Sequence, residues 1–269
     1  MPSAASIPPV ARSQSPNPSG GPTHSRIELS ESFAKFTATL DARIGVAIAP
    51  LGSQTTPIVL GQLTGGPAWS TMKVPLVYAA LRESDPQAVT ESMIAAITES
   101  DNSAAESIWD GLGDPDTAAS KVQSILRATG DDHTQVQSRR IRTEYTAFGQ
   151  TEWQLADQAD FMARASCQVG SEEVLQLMTQ VVADQRWGLG QISDGPFKGG
   201  WGPSPSGKYL VRQIGLLTTD RGVTAIAVAA QPASGSFQDG THDLTALAHW
   251  LYDHKGELPA GRCPRGGEH

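Results

Sequence analysis

The sequence predicts an α+β fold: one five-stranded antiparallel sheet, flanked by N- and C-terminal helices, with an all-α lobe inserted between its strands. Three observations lead to this prediction. Two strand-like segments follow the first helical segment, several helical segments occupy the middle of the chain, and three strand-like segments precede the last helix. Strands joined by short turns pair antiparallel, so the two chain ends are expected to build one sheet.

The α/β lobe is predicted to combine residues 30–66 with residues 190–255. Its helical segments repeat apolar residues at helical spacing, and its strand-like segments are short apolar runs between turn residues. Residues 256–269 are expected to fray. The expected elements are a helix at 30–41, strands at 43–50, 56–61, 195–201, 209–217 and 223–230, and a helix at 243–254.

The helical lobe is predicted at residues 67–189. Thr151-Glu-Trp-Gln154 has the form of a capping box, which would open a helix. Residues 133–148 are polar, lack periodicity and are expected to form a loop. The other expected helices begin near Ser70 and cover residues 90–98, 103–109, 116–128 and 172–184.

Length and charge limit the functional classes. The chain has 269 residues, enough for one large domain or two small ones, and a formal net charge of −8. This charge argues against a nucleic-acid partner, because phosphate binding needs a concentrated basic face. No apolar run approaches the roughly 18 residues that a membrane helix needs, so no membrane span is expected. We also expect a monomer.

Residues 1–29 are predicted to be a disordered tether, because a segment rich in Ser, Pro, Gly and Ala cannot bury a core. The segment lacks the charged and apolar regions of a signal peptide. Its composition is that of a linker following a removed secretion signal or lipid anchor, so we expect an exported protein of the cell envelope or the extracellular space. A disordered N-terminus on a cytoplasmic protein is the alternative.

Cys167 and Cys263 are the two cysteines of the chain. They form one disulfide if the protein is exported, or remain two thiols, since sequence does not show whether their Cβ atoms meet. The chain has no Cys-x-x-Cys or His-Glu-x-x-His spacing, so no metal site is expected.

Ser70 and Lys73 form the first candidate catalytic pair. They stand three positions apart at the start of an apolar run, so a helix would place them on one face. A serine hydroxyl needs a neighbouring base to act as a nucleophile, and an amine can serve. The pair alone is weak, because chance gives this spacing about once in such a chain. A helix cap at Ser70 with a solvated Lys73 is the alternative.

Two further segments complete a known set of motifs. Ser100-Asp-Asn102 follows a helical segment, and Lys198-Gly-Gly-Trp201 lies on a predicted strand. With the first pair they match, in order, the Ser-x-x-Lys, Ser-Asp-Asn and Lys-Thr-Gly motifs of penicillin-recognising serine enzymes, with Gly199 in place of Thr. Taken alone, Ser100 and Asn102 would also suit a helix cap.

On these motifs the chain resembles class A serine β-lactamases of the β-lactamase and penicillin-binding-protein superfamily. It is most similar to the actinobacterial branch whose third motif reads Lys-x-Gly-Trp. The resemblance covers about residues 30–255 and includes segments 96–105 and 184–188. It implies the β-lactamase-like fold of the D-alanyl-D-alanine peptidases, no cofactor, and a small-molecule or peptidoglycan-derived acyl substrate.

The resemblance also implies a role for each motif residue. Ser70 would form an acyl-enzyme, and Lys73 would be its base or proton relay, with an amine pKa lowered by the nearby Lys198. The remaining roles are Ser100 as proton donor to the leaving nitrogen, Asn102, Lys198 and Gly200 as substrate contacts, and the backbone N–H groups of Ser70 and Trp201 as an oxyanion hole.

Three departures from the family pattern bear on function. The deacylating glutamate of class A enzymes, in a Glu-x-x-Leu-Asn setting, is absent from the short loop 137–150. Glu144 is the nearest acid, and a solvated loop carboxylate is the alternative for it. The short distance from Ser70 to Ser100 along the chain predicts a more open site. Gly199 lacks the hydroxyl that helps to hold a substrate carboxylate.

Two functions follow from this pattern. The first is a serine hydrolase that acylates readily and deacylates slowly: a weak β-lactamase, a D-alanyl-D-alanine peptidase-like enzyme or an esterase. The second is a non-catalytic protein that keeps the fold and binds peptidoglycan or a partner protein. The intact set of motifs without the deacylating acid favours the first, and the truncated loop and the Gly199 change favour the second.

Overall fold

The structure is a computed structural model that describes residues 22–85 and 87–264, with side chains from residue 26 onward. Within these ranges the chain forms eight helices and seven strands. The helices are α1 (Pro22–Thr37), α2 (Lys73–Glu83), α3 (Glu91–Thr98), α4 (Asn102–Gly111), α5 (Pro115–Ala128), α6 (Leu155–Ala165), α7 (Ser171–Thr179) and α8 (Phe237–Asp253). The strands are β1 (Ala42–Pro50), β2 (Ile58–Gly61), β3 (Gly65–Pro67), β4 (Glu152–Gln154), β5 (Phe197–Pro203), β6 (Tyr209–Thr219) and β7 (Gly222–Pro232).

The five-stranded antiparallel sheet is confirmed. Its order is β2-β1-β7-β6-β5, so strands from both chain ends meet at the pairing of β1 with β7. Strand β5 lies at one edge, and Lys198 there pairs with Ile214 of β6. The inserted block of helices follows β3, as the change in periodicity predicts.

The two faces of the sheet bury side chains of different size. Ala47 of β1 and the alternate alanines of β7 face the helical lobe, where α6 packs against both strands. Val46, Ile48 and their neighbours on β7 face α1 and α8. Both faces are covered, which explains why six consecutive residues of β1 are buried.

Helix α2 runs through the centre of the helical lobe. Val74, Leu76 and Val77 are fully buried, so the helix is packed on nearly all sides. Pro75 is its third residue, where the missing N–H costs no intrahelical hydrogen bond. In the described part of the chain, no helix has the length and apolar character to cross a bilayer.

A small second sheet replaces the predicted capping box. Glu152–Gln154 pairs as β4 with β3, and α6 begins at Leu155 without a side-chain cap. The Thr151 hydroxyl instead accepts a hydrogen bond from the Gln137 backbone N–H at 3.0 Å. The capping-box prediction is therefore wrong, because strand pairing satisfies this backbone before the helix begins.

Two segments near the ends of the described chain differ from the prediction. Helix α1 begins at Pro22, and Leu29 is buried, so the predicted tether is wrong for residues 22–29. Residues 1–21 lie outside the described residues.

The C-terminal segment is also tied down. Leu258 is fully buried and Gly261 bridges to Val223 of β7. Cys167 and Cys263 form a disulfide with a Cα–Cα distance of 5.3 Å. The prediction of a frayed tail is wrong for residues 258–263.

Candidate active site

Ser70 lies in a tight turn that the chain holds in an unusual conformation. Residues Trp69–Met72 form a single 3-10 turn directly before α2, and Trp69 has a φ of +50°. Such backbone strain costs on the order of 1–3 kcal/mol in a non-glycine residue and concentrates at functional sites. Trp69 is buried and packs edge-on against Tyr145, with ring centroids 5.1 Å apart. The turn therefore presents a half-buried Ser70 at the start of a core helix.

A buried polar chain supports this turn from below. The Thr71 hydroxyl donates to the Ala68 carbonyl at 2.6 Å and accepts from the Gln158 amide at 2.9 Å. Arg212 donates to the Gln158 side-chain oxygen at 2.5 Å.

Arg212 is fully buried and is not recognisable from the sequence as part of the site. It also donates to the backbone carbonyls of Gly66 and Pro67 at 2.7 and 2.9 Å, just before the turn. Burial lowers the pKa of its guanidinium to about 9, and Glu152 opposes that shift. Arg212 also pairs with Gly200 in the sheet, a long-range register between β6 and β5 that no local sequence pattern predicts.

Lys73 is fully buried and directs its amine toward the second motif. Its Nζ donates to the Ser100 carbonyl at 2.5 Å and to Asn102 Oδ1 at 2.8 Å, and lies 3.4 Å from Ser100 Oγ. Burial lowers the pKa of Lys73 to about 7, while Asp101 raises it. The sequence-based explanation of this shift, crowding by Lys198, is corrected: desolvation is the main cause.

The three residues of the second motif make different contacts. The Asp101 carboxylate caps α4 by accepting from the Ala104 backbone N–H at 2.6 Å. This leaves the side chains of Ser100 and Asn102 free to face Lys73. Ser100 has a φ of +60°, a second strained residue in the same site. The capping alternative thus holds for Asp101, not for Ser100 or Asn102.

Lys198 brings the third motif to the same hydroxyl. Its Nζ donates to Ser100 Oγ at 2.9 Å and to the Gly199 carbonyl at 3.0 Å, and its side chain is fully buried. Burial, and then the nearby Lys73, hold the pKa of Lys198 well below its usual value. Ser100 Oγ therefore stands between two buried amines, and within the described residues neither amine pairs with a carboxylate.

The edge strand β5 lies directly against the Ser70 turn. A Cβ on Gly200 would stand 2.9 Å from the backbone nitrogens of Ser70 and Thr71 and from the Ala68 carbonyl oxygen. Only glycine fits at this distance, so the strand backbone can approach the Ser70 turn closely. Trp201 follows on the same strand and is half-buried. Its predicted role in an oxyanion hole with Ser70 stays a prediction.

Gly199 is explained by a neighbour that the sequence did not point to. A Cβ at this position would stand 3.1 Å from the ring of Trp187. That ring packs edge-on against Trp201 at 6.0 Å, and Trp201 packs against Phe237 at 5.2 Å. These aromatic rings therefore lie against the position where the Thr side chain of a Lys-Thr-Gly motif would project. Trp187 lies in the segment 184–188 that contributed to the resemblance, but its contact with Gly199 could not be foreseen.

Ser70, Ser100 and Asn102 open onto one cleft of about 210 Å³. The two lysines lie beneath its surface. No Asp or Glu is among the residues that line the cleft, which all belong to the described part of the chain. These residues are Trp69, Ser70, Ser100, Asn102, Tyr145, Thr146, Trp201, Gly202, Pro203 and Tyr209.

Glu144 lies in a neighbouring recess that also contains Glu106 and Arg140. It is exposed and pairs with Arg142 at 3.2 Å. A hydrogen bond from its own backbone N–H, and then that from Arg142, hold the pKa of Glu144 below its usual value. The structure therefore places this candidate acid outside the cleft onto which Ser70 opens.

A possible metal-ligating group lies elsewhere in the described residues. Ligand atoms of Asp131, His133 and Asp157 lie within 4.8 Å of one another. The two Asp131 carboxylate oxygens accept hydrogen bonds from the Trp153 indole and from the backbone N–H groups of His133 and Thr134. The Asp131 carboxylate is therefore already hydrogen-bonded and stabilises the backbone at the start of the loop.

Solved structures of β-lactamases share the fold of this chain. A β-lactamase from Xanthomonas campestris aligns with a TM-score of 0.63 at 17% identity over 85% of this chain and 98% of the other. The TLA-1 extended-spectrum β-lactamase aligns with a TM-score of 0.66 at 17% identity over 86% and 99%. A β-lactamase from Sphaerobacter thermophilus gives 0.63 at 16% identity over 86% and 98%.

No protein-family model and no curated protein matches the chain. At these identities the alignments with solved structures show the fold alone. The prediction of a β-lactamase-like fold is confirmed.

Proposed function

We propose that this chain is a serine hydrolase or acyltransferase of the actinobacterial β-lactamase-like branch. Its Ser70 would attack the amide carbonyl of a β-lactam or a D-alanyl-peptide-like substrate. The observation that carries the proposal is the placement of Ser100 Oγ between the amines of Lys73 and Lys198, in the cleft onto which Ser70 opens. Burying two amines without carboxylate partners costs free energy, which argues against a purely structural role for Lys73 and Lys198.

Lys73 is suited to remove the proton of Ser70. With a pKa of about 7, much of its amine is neutral at neutral pH and can accept a proton. Within the described residues the Ser70 hydroxyl has no hydrogen-bond partner, and Lys73 contacts Ser100 and Asn102 instead. Catalytic hydrogen bonds often tighten only when substrate binds, so this geometry is compatible with the role.

The acylation step follows from these contacts. The bond from Ser70 Oγ to the carbonyl carbon forms, and the carbon–nitrogen bond breaks. The Ser70 proton passes to Lys73 and is returned through the Ser100 hydroxyl to the leaving nitrogen. The backbone N–H groups of Ser70 and Trp201 would stabilise the oxyanion, a contribution of about 2.7–4 kcal/mol per donor. Asn102 lines the cleft and would contact the substrate, whereas Lys198 and Gly200 are buried beside it, so their substrate contacts stay predictions.

Release of the acyl group is proposed to be slow. Among the described residues no carboxylate lines the cleft, and Glu144 is paired with Arg142 in another recess. Activation of a hydrolytic water needs a base within hydrogen-bond reach. Without one, the acyl-enzyme should accumulate.

A non-catalytic binding protein is the second candidate. It is favoured by the same lack of a carboxylate and by the aromatic cluster over Gly199, which leaves no hydroxyl to hold a substrate carboxylate. In that case the cleft would hold a peptidoglycan-derived ligand without reacting.

We also propose that the protein acts outside the cytoplasm, as a monomer on a small-molecule or peptidoglycan-derived substrate. The Cys167–Cys263 disulfide supports export, because such bonds persist in oxidising compartments.

Intact-protein mass spectrometry after incubation with benzylpenicillin tests the function. We expect a covalent adduct of one penicillin that persists for many minutes, with slow turnover of a chromogenic cephalosporin. Ser70→Ala should abolish the adduct, whereas Ser103→Ala, an exposed serine on α4, should retain it.

Two results would decide against the proposal. The absence of both adduct and turnover excludes the β-lactam reaction, and an adduct that survives in Ser70→Ala excludes this nucleophile. Failure of a broad serine-reactive probe to label Ser70 would favour the binding protein.

A further inference from the structure

A second cavity adjoins the cleft and is also lined by Trp69. Its volume is about 440 Å³, about twice that of the cleft, and falls in the range of small-molecule sites. The two spaces share the wall formed by Trp69, Gly202 and Pro203. None of the motif residues that carry the proposed function lines it, so it needs a separate explanation.

The floor of this cavity is apolar. Leu63 and Leu210 are buried in the core and expose one side to it, and Trp69 and Pro67 complete the surface. The Trp69 indole N–H is buried and has no acceptor within the described residues. Such a floor favours the alkyl or aryl body of a ligand, because burying apolar surface is the main source of binding free energy.

The mouth of the cavity carries more positive than negative charge. Arg43, Arg142 and Lys208 line it, against the single carboxylate of Glu152. Arg142 is already paired with Glu144. Burial raises the pKa of Glu152, and the nearby Arg212 opposes this shift. A cationic mouth is an exception on a chain whose net charge is −8.

Arg43 and Lys208 are the cations available to a ligand. Within the described residues neither has a carboxylate partner. Arg43 donates one hydrogen bond to the Gln231 side-chain oxygen at 3.0 Å, across the paired strands β1 and β7. This bond holds the guanidinium at the mouth and leaves other N–H groups free, a geometry that suits a carboxylate.

We propose that this cavity binds an amphiphilic carboxylate: a small molecule whose alkyl or aryl body rests on Leu63, Trp69 and Leu210, while its carboxylate reaches Arg43 and Lys208. The site is distinct from the cleft of Ser70. It does not depend on the proposed acyl transfer.

The proposal is tested by isothermal titration calorimetry with a series of straight-chain carboxylates. The full chain with Ser70→Ala is used, so that acylation cannot contribute and a failure of the proposed function does not affect the result. We expect the affinity to rise about fourfold for each methylene from hexanoate to octanoate, until the chain fills the cavity. Octylammonium, with the same body and the opposite charge, should not bind.

Charge variants locate the head group. Arg43→Gln with Lys208→Gln should weaken octanoate binding at least tenfold, whereas Glu152→Gln should strengthen it a few-fold. The matched control is Lys35→Gln with Arg82→Gln, which removes the same two charge types from exposed positions that do not line the cavity. Equal binding of octanoate and octylammonium, equal affinity in the two double variants, or no saturable binding of any carboxylate would overturn the proposal.

Discussion

At the scale of single residues, the surroundings of Lys73 determine how readily its amine can accept a proton. Its amine has exchanged water for the Ser100 carbonyl and the Asn102 amide oxygen, both neutral acceptors. Neutral acceptors compensate a buried charge only in part, so desolvation dominates and the pKa falls to about 7. An amine with this pKa is partly unprotonated at neutral pH and is still basic enough to accept a proton.

The rate of acylation by benzylpenicillin should therefore depend on the protonation of Lys73. The protonated amine cannot accept the Ser70 proton, so the rate should rise with pH and level off above about pH 8. A pKa of about 7 implies a fall of about tenfold between pH 8 and pH 6. The measurement is the second-order rate constant of adduct formation from pH 5.5 to 8.5.

Because Lys198 is also buried and lies near Lys73, the inflection could belong to the pair. Lys198→Arg removes the second titrating amine and should keep an inflection, whereas Lys73→Ala should lose it together with most of the rate. A profile that stays flat across this range in the unaltered protein would contradict the assignment of Lys73 as base.

Single residues also show what the sequence could and could not predict about the site. Ser70, Lys73, Ser100 and Lys198 were predictable because their motifs are short in sequence and fixed in order. Trp187 and Arg212 act through long-range contacts, Trp187 against Gly199 and Arg212 beneath the Ser70 turn. No local pattern distinguishes such residues from an ordinary tryptophan or a surface arginine.

At the scale of elements, the site depends on how the Ser70 turn is joined to the sheet and to α6. Gln158 of α6 reaches Thr71 in the turn, and Arg212 of β6 reaches Gln158. Strand β3, which pairs with β4, ends at Pro67 just before the turn and anchors it there. These connections hold Trp69 at a positive φ, where an isolated chain would relax.

Thr71→Val should uncouple this support. The substitution keeps the shape of the side chain but leaves the Gln158 amide without its acceptor, which costs about 1–3 kcal/mol for a buried group. The Ala68 carbonyl loses the hydroxyl and keeps only the Thr71 backbone N–H, at 3.2 Å. We expect a lower free energy of unfolding in urea and, in addition, slower labelling of Ser70 by a fluorescent penicillin.

Thr129→Val is the matched control, because its buried hydroxyl donates to the Leu126 carbonyl at the end of α5. It should lose stability without slowing the labelling of the folded protein. Equal labelling rates in the two variants would show that the polar chain serves stability alone.

Elements with a clear apolar periodicity of their own were predicted better than elements that form only through contacts with another segment. The strands of the β1–β2 hairpin and strands β5, β6 and β7 are apolar or alternating segments bounded by turn residues. They form as expected. Strands β3 and β4 have three residues each and exist only because they pair with each other. Helix α1 starts earlier than its apolar stripe suggests, since Leu29 finds a core contributed by other elements.

At the scale of the whole molecule, the disulfide joins the C-terminal segment to the end of α6. The Thr224 hydroxyl donates to the Pro259 carbonyl, and Arg221 donates to the Leu258 carbonyl, both at 2.8 Å. Cys167 and Cys263 then close a stretch of the chain with a sequence separation of 96. The tail thereby becomes part of the domain that carries the site.

Removing this bond should destabilise the whole domain. In the chain-entropy model, a cross-link over about 100 residues contributes up to about 4.7 kcal/mol by restricting the unfolded chain. For a protein of this size that corresponds to a fall in Tm on the order of 10 °C. The measurement is urea unfolding with and without dithiothreitol, monitored by tryptophan fluorescence.

The double variant Cys167→Ser with Cys263→Ser separates the bond from the reductant. It should match the reduced protein and show no response to dithiothreitol, because it has no bond to break. Penicillin labelling of the folded, reduced protein should continue, since neither cysteine lines the cleft. If oxidised and reduced proteins unfold at the same urea concentration, the local contacts of Leu258 and Gly261 already hold the tail, and the bond adds nothing to stability.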